Sequence, residues 1–264
     1  MSGSLRIGIV GGGGWLGGAI AGSILDAGLT TPESLALSYR SQQSDRFPKA
    51  FWMTDNQALA DRSDVIILSV RPQDWTSLAV QADGKLVISV MAGIRLSALS
   101  ERHKAARVVR TLPNAAAEVG KSYTPWIGSI GVSDDDRAIV RAIFDACGTQ
   151  DEVASESDID YLTGLTGSGP AFPALLAAAM MKDAIAHGLP EDIARRAVNT
   201  VLTGTGQLLE RRDQSPNEIV EAFLKYRGTT AAAIEHMRAA GFDGAVAKGL
   251  EAAFRKSVSM GDAS

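Results

Sequence analysis

The run Ile7-Gly8-Ile9-Val10-Gly11-Gly12-Gly13-Gly14-Trp15-Leu16-Gly17-Gly18-Ala19-Ile20 constrains this chain more than any other segment. A β-branched stretch gives way without a linker to glycines, then to an apolar helical pattern ending near Asp26, with Gly28 behind it. Strand, glycine turn and helix in that order open a dinucleotide-binding βαβ unit. Two phasings of the glycines fit. Gly12-x-Gly14-x-x-Gly17 completes the G-x-G-x-x-G fingerprint, whereas Gly11-x-Gly13 puts Leu16 at the third glycine position. The first is preferred. Gly12 then forms the tight turn, Gly14 admits the pyrophosphate to the backbone, and Gly17 brings helix against strand. The helix start at Trp15 and Leu16 supplies free amides and the positive end of the helix dipole. A ligand-free glycine loop would carry the same letters, but the context of strand and helix favours a cofactor.

The end of the second strand separates the two nicotinamide cofactors. An acidic residue about 20 positions on holds the ribose 2′-hydroxyl when the cofactor is NAD. Ser38-Tyr39-Arg40-Ser41 stands there instead. A carboxylate would repel a 2′-phosphate, and an arginine fork binds it with charge-assisted hydrogen bonds. Arg40 could also be an ordinary solvated loop residue. Its placement, with Ser38, favours NADP(H), and NAD(H) stays second.

The first half alternates short apolar runs with amphipathic segments, the signature of a parallel sheet with crossover helices. The runs are Leu5 to Val10, Leu35 to Tyr39, Val65 to Val70, Leu86 to Val90 and Arg107 to Arg110. Further runs around Tyr123 to Ile130 and Gln150 to Ala154 could close the sheet. After about Ser155 strand-like runs vanish. Alanine-rich stretches with helical spacing follow: Pro170 to His187, Glu191 to Glu210, Ser215 to Phe223, Thr229 to Ala240 and Asp243 to Met260. Gly188, Gly241 and Gly261 fall at or just beyond their ends. The expected fold is therefore α/β, a Rossmann domain over 1–155 followed by an all-helical domain over 156–264.

Composition narrows the partners. A net charge of −4 with no block of like charge leaves no electrostatic footprint for nucleic acid or an anionic membrane. The stretch from Pro170 to Met181 is about 12 residues, short of the roughly 20 that span a bilayer. Met1 to Ile9 lack a basic stretch before a long apolar run, so no signal peptide is expected. The one cysteine, Cys147, cannot form an intrachain disulfide, which fits a reducing compartment. The cytoplasm is the expected location.

Beyond the glycine turn the chain strongly resembles the pyrroline-5-carboxylate reductase family, from about Ile7 to Ser259. Asp64-Val65-Ile66-Ile67-Leu68-Ser69-Val70-Arg71-Pro72-Gln73 resembles that family's D-V-V-I-L-A-V-K-P-Q. Ile88-Ser89-Val90-Met91-Ala92-Gly93-Ile94 is similar to its I-S-I-x-A-G-I, and Arg107-Val108-Val109-Arg110-Thr111-Leu112-Pro113-Asn114 to its R-V-V-R-x-M-P-N. Leu162-Thr163-Gly164-Leu165-Thr166-Gly167-Ser168-Gly169-Pro170-Ala171-Phe172 is very close to V-T-G-L-S-G-S-G-P-A-Y, and His187-Gly188-Leu189-Pro190 keeps the G-L-P.

The resemblance implies an NADPH-dependent reduction of a cyclic imino acid, first 1-pyrroline-5-carboxylate to L-proline in proline biosynthesis. The cofactor carries the hydride and the protein positions the partners. Val70, Arg71, Pro72, Ala92 and Gly93 would line the cofactor at strand ends, and Asn56 would serve its adenosine side or merely cap a helix. Thr163 would lie near the imine nitrogen; packing within a helix is its other reading. Asn114 would belong to the substrate site. β-Hydroxyacid dehydrogenases, a related family, carry a lysine and an asparagine where this chain has Pro173 and Ala177, so the helix offers no proton donor for an alcohol. No metal site is expected. His103, His187 and His236 stand alone in contexts that read as surface.

Two departures bear on the substrate. The family's T-S-P-G-G-T-T carboxylate loop reads Leu224-Lys225-Tyr226-Arg227-Gly228-Thr229-Thr230 here. Gly228, Thr229 and Thr230 retain a helix start suited to an anion. Lys225 or Arg227 would bind the carboxylate directly, or the pocket is reshaped for another imine such as a pyrroline-2- or piperideine-carboxylate. Surface charges on a loop of different shape are the third reading. Gly14-Trp15-Leu16 also replaces the family's G-N-M. The family's interlocked helices imply a homodimer or larger homo-oligomer. A non-catalytic NADP(H)-binding sensor is the alternative from another class.

Overall fold

A computed structural model describes residues 4–211 and 213–261. The chain divides into two compact units, residues 1–168 with 252–264, and residues 169–251. The first unit carries β1 (Ile7–Val10), α1 (Trp15–Asp26), β2 (Leu35–Ser38), β3 (Phe51–Met53), α2 (Asn56–Arg62), β4 (Val65–Leu68), α3 (Pro72–Trp75), β5 (Leu86–Ser89) and α4 (Leu96–His103). It continues with β6 (Arg107–Thr111), β7 (Ser122–Gly128), α5 (Asp134–Asp145), β8 (Gly148–Glu152) and α6 (Glu156–Leu162). The strands form one sheet in the order β3-β2-β1-β4-β5-β6-β7-β8. Every pairing is parallel except that of β6 with β7.

Alternation along each central strand feeds two cores. Ile7, Ile9, Leu35, Leu37, Val65, Ile67, Leu86 and Ile88 share one face with Ile20 and Ile24 of α1 and with Ile143 and Phe144 of α5. Val10, Ala36, Ile66, Leu68, Val87 and Val108 face the other side, with Leu59, Trp75 and Leu99. Burial on both faces is why these strands read as continuous apolar runs. The chain leaves β1 towards β2 and β3, then returns past it to β4. The strand order therefore reverses between β1 and β4, and their carboxyl ends frame a crevice.

Strands end at Glu152, close to the expected change of character at Ser155, but the first compact unit runs on to Ser168 and takes back the end of the last helix. α6 is followed by a single π-helical turn, Thr163–Gly167, closed by the Ser168 amide donating to the Thr163 carbonyl at 3.0 Å. A buried ion network holds this segment. Arg110 of β6 donates to Asp160 at 2.6 Å and to Glu156 at 3.0 Å. Arg95 lies 3.0 Å from the second oxygen of Asp160, and Ser257 donates to the first at 3.3 Å. The side chains of Arg110 and Asp160 are only 1% and 2% exposed, so each charge depends on the other.

His103 corrects the surface reading. It is fully buried, with Nε2 accepting from Trp75 Nε1 at 2.9 Å and Nδ1 against the Val80 carbonyl at 2.8 Å. Nδ1 therefore carries the hydrogen. Burial pushes its pKa below the ordinary histidine value, Arg102 adds to this, and the Val80 contact opposes it.

The second unit is helical: α7 (Ala171–Ala186), α8 (Glu191–Arg211), α9 (Pro216–Lys225), α10 (Thr229–Ala239) and the first half of α11 (Phe242–Gly261). Gly188 and Gly241 follow α7 and α10 with φ of +92° and +90°, which glycine adopts without strain. Among the described residues no helix is long and apolar enough to cross a membrane.

Removing Asp160 takes away the buried carboxylate shared by Arg110 and Arg95 and leaves Arg110 with Glu156 alone. Asp160→Ala should cost about 3–5 kcal/mol of unfolding free energy in a urea titration. A loss below about 1 kcal/mol would mean that the network is solvated and not a structural tie.

Candidate cofactor cleft and anion pocket

The glycine turn is built by hydrogen bonds the fingerprint does not mention. The Gly12 amide donates to Ile9 O at 3.1 Å and the Gly14 amide to Gly11 O at 2.9 Å. Ser38, buried at the end of β2, accepts from the Gly11 amide through its hydroxyl at 3.0 Å, while its carbonyl takes the Gly13 amide at 3.1 Å. The left-handed residue is Gly11, with φ +81°, so the sharp turn falls one residue ahead of Gly12. Gly12 is needed for a different reason: a Cβ there would meet Leu37 Cδ2 at 2.7 Å. Gly17 keeps the role expected of it, since a Cβ would lie 2.6 Å from Gly11 O.

No side chain caps the start of α1, which opens on Gly14 as N-cap. Its first-turn amides are therefore available to an anion. Trp15 stands half exposed at the first helical position, and Leu16 leans on the core.

A cleft of about 480 Å³ opens at the crevice between β1 and β4. Gly11, Gly13 and Gly14 form one wall; Ser38, Arg40, Asn56, Val70 and Arg71 form the others. Sequence reasoning had selected all of these but Gly11 and Gly13. It missed Tyr39 and Ser69, which sit inside the segments already singled out, and Gln42, Thr54, Asp74 and Leu78, which line the same cleft without belonging to any recognisable motif. Arg40 is 79% exposed and carries its guanidinium 3.6 Å from Asp74. Asn56 opens α2, but the cap is Asp55, whose carboxylate accepts from the Gln57 and Ala58 amides. Asn56 is thus left to the cleft. The cradle of glycines, the uncapped helix and the arginine beyond it fit a phosphorylated dinucleotide.

Several other candidates have structural duties. Pro72 is the first residue of α3, where its missing amide hydrogen costs nothing. Ala92 and Gly93 follow β5 outside the residues lining the cleft. Gly93 has φ +79°, and a Cβ on it would meet Met260 at 2.8 Å, so it accommodates the end of α11. Asn114 accepts from the Ala116 amide at 2.9 Å and donates to the Thr166 carbonyl at 3.0 Å, bracing the π-helical turn. Thr163 donates its hydroxyl hydrogen to the Ile159 carbonyl at 2.7 Å. Its oxygen keeps lone pairs for accepting a hydrogen bond.

In the second unit, Lys225, Arg227 and Gly228 line a pocket of about 620 Å³ between α9 and α10, together with Glu221, Leu224, Ala231, Ala232 and Glu235. Gly228 is the N-cap of α10 and provides no side-chain cap; Thr229 and Thr230 are the first helical residues. Arg227 has φ +52°, a left-handed conformation at the end of α9 where glycine is usual. Holding an arginine there costs about 1–2 kcal/mol.

Comparisons with known proteins bear on both units. Residues 156–260 match the family model for pyrroline-5-carboxylate reductase dimerisation, and residues 6–93 match that for NADP oxidoreductase, coenzyme F420-dependent. The pyrroline-5-carboxylate reductase of Synechocystis is 31% identical over 98% of this chain and 99% of its own length. This chain belongs to the pyrroline-5-carboxylate reductase family. The Methanosarcina acetivorans reductase is 30% identical across 97% of this chain and 98% of that one. Among solved structures, Plasmodium falciparum pyrroline carboxylate reductase with NADP bound superposes with a TM-score of 0.87 at 25% identity, covering 97% of this chain and 98% of that one.

The contact between Gly17 and Gly11 gives a direct test. Alanine gains about 1 kcal/mol over glycine inside a helix. A Cβ 2.6 Å from a backbone oxygen forces α1 off the turn, a strain of about 1–3 kcal/mol. Gly17→Ala should therefore lower stability and weaken dinucleotide binding at least about tenfold in a calorimetric titration. Unchanged affinity would separate this contact from the cofactor.

Proposed function

We propose that this chain reduces 1-pyrroline-5-carboxylate to L-proline with NADPH, in the cytoplasm, as a homodimer or larger homo-oligomer. The observation that carries the reading is full-length similarity to pyrroline-5-carboxylate reductases combined with an intact dinucleotide cleft that ends on Arg40. When bound, the cofactor supplies a hydride from its nicotinamide, which adds to the C=N carbon and leaves an amine. The chain's own residues bind and orient. Free amides at the start of α1 hold the pyrophosphate, and Arg40 takes the 2′-phosphate. Val70 and Arg71 flank the ribose, with Pro72, Ala92 and Gly93 shaping the loops behind them. The Thr163 hydroxyl, already donating to Ile159, accepts from the iminium N–H. Asn114 keeps the turn carrying Thr163 in place.

Lys225, Arg227 and the uncapped start of α10 form the carboxylate site. Glu221 and Glu235 line the same pocket, so an anion there depends on both cations and on the helix amides. Two carboxylates beside two cations also favour a second reading, a larger cyclic imino acid whose ring or substituent uses the acidic side.

Assembly finds support in the helices of the second unit. α7 and α9 contain no buried residue, and Leu175, Val201 and Met237 are 73%, 53% and 50% exposed. Apolar faces of this size call for a partner surface.

The test is NADPH oxidation with a panel of cyclic imino acids. Turnover of pyrroline-5-carboxylate supports the reading, turnover of only a six-membered ring supports the second one, turnover of only pyrroline-2-carboxylate would overturn both, and cofactor binding with no turnover would make the protein a sensor. In Arg227→Ala, the KM for the imine should rise about tenfold or more with NADPH affinity unchanged. An unchanged KM would remove Arg227 from the site. Arg40→Ala should cost NADPH about tenfold in kcat/KM and leave NADH unaffected. Retained preference would refute the 2′-phosphate assignment.

A further inference from the structure

The cleft contains a carboxylate for which dinucleotide binding has no evident use. Asp74 lies in the first turn of α3 and lines the cleft with Arg40 and Arg71. Arg71 grips it with two hydrogen bonds, Nε to Oδ2 at 2.7 Å and Nη2 to Oδ1 at 3.3 Å. Arg40 reaches it from the loop after β2 more loosely, with Nη1 3.6 Å from Oδ1. That is an ion pair beyond hydrogen-bonding distance. The hydrogen bonds from Arg71 hold the Asp74 carboxyl below the ordinary carboxylate range, and the charges of Arg71 and Arg40 add to this. Asp74 is thus an anion whenever the cleft is empty of phosphate.

We infer that Asp74 is an internal counter-ion of the 2′-phosphate site, a specificity-determining residue that lowers the preference for NADPH over NADH by competing for Arg40. The inference rests on the assignment of Arg40 to the 2′-phosphate. To engage a phosphate, Arg40 gives up its attraction to Asp74. The phosphate, with a second pKa near 6, then lies beside a like charge. Both effects oppose the phosphorylated cofactor, and neither touches a ribose that ends in a hydroxyl. Arg71 keeps its own carboxylate throughout, because its two hydrogen bonds, one of them at 2.7 Å, outweigh one loose ion pair.

The competing role for Asp74 is as a scaffold that aims Arg71. Asp74→Asn separates the two. The amide keeps an oxygen for Arg71 and discards the charge. As a counter-ion, its loss tightens the phosphorylated cofactor; as a scaffold, it leaves binding equal or weaker.

The experiment is isothermal titration of NADP+ and of NAD+ into the full chain, its Asp74→Asn and Arg40→Ala variants, and the double variant. Asp74→Asn should tighten NADP+ about two- to fivefold at low salt, the range open to an exposed ion pair, and leave NAD+ unchanged. The gain should shrink at 1 M salt and vanish in the Arg40→Ala background. Equal or weaker NADP+ binding in Asp74→Asn, or a gain that survives without Arg40, would overturn the inference. If Arg40→Ala alone leaves the NADP+ to NAD+ ratio intact, the assignment of Arg40 fails, and the inference with it.

Discussion

Helix α1 sits so close to the turn before it that the backbone oxygen of Gly11 occupies the space a Cβ at Gly17 would need. That contact sets how the helix axis meets β1, and therefore where its uncapped amides point. Ser38 locks the arrangement from the neighbouring strand, with its hydroxyl on Gly11 and its carbonyl on Gly13. The same strand end carries Arg40 two residues later. The glycine turn and Arg40, the residue proposed for the 2′-phosphate, are thus linked through Ser38 at the end of β2 and Tyr39 just beyond it. A dinucleotide meets preformed geometry, which limits the ordering its binding requires.

Two arginine–aspartate pairs in this unit show how surroundings decide what an ion pair does. Arg110 and Asp160 are almost wholly buried, linked at 2.6 Å, and exchange with nothing. Their desolvation is tolerable only while every partner is present, so they act as a tie between β6, α6 and α11. Arg40 is exposed and 3.6 Å from the half-buried Asp74, near enough to solvent for a charge to change partners at little cost. The first pair holds a fold and the second tunes a choice.

Much of this was legible in the sequence because it depends on local order. Apolar runs buried on both faces marked five strands, and the two later runs became β7 and β8. β3 was not legible: three residues, partly exposed, give no pattern to read. The fingerprint located the turn but misplaced its left-handed residue, because the demand for glycine at Gly11 comes from Ser69 O, which lies 58 positions away by number and 2.4 Å from a Cβ at Gly11 in space. The bracing contacts of Asn114 and Gly93 and the burial of His103 were illegible for the same reason. Their partners, Thr166, Met260 and Trp75, come from distant elements, and nothing local distinguishes a bracing asparagine from a binding one. Asp74 and Asp160 belong to no motif, since an ion pair across a fold leaves no spacing to recognise.

The cofactor unit is discontinuous in the chain. Residues 169–251 intervene before the end of α11 arrives to fill the space over Gly93 and to give Ser257 to Asp160. During synthesis, the sheet and its glycine turn emerge first, yet that unit lacks its closing piece until nearly all of the helical segment has left the ribosome. Folding of the nucleotide-binding half is therefore bound to the completion of the other, and trimming the last turns of α11 would injure the end of the molecule made first.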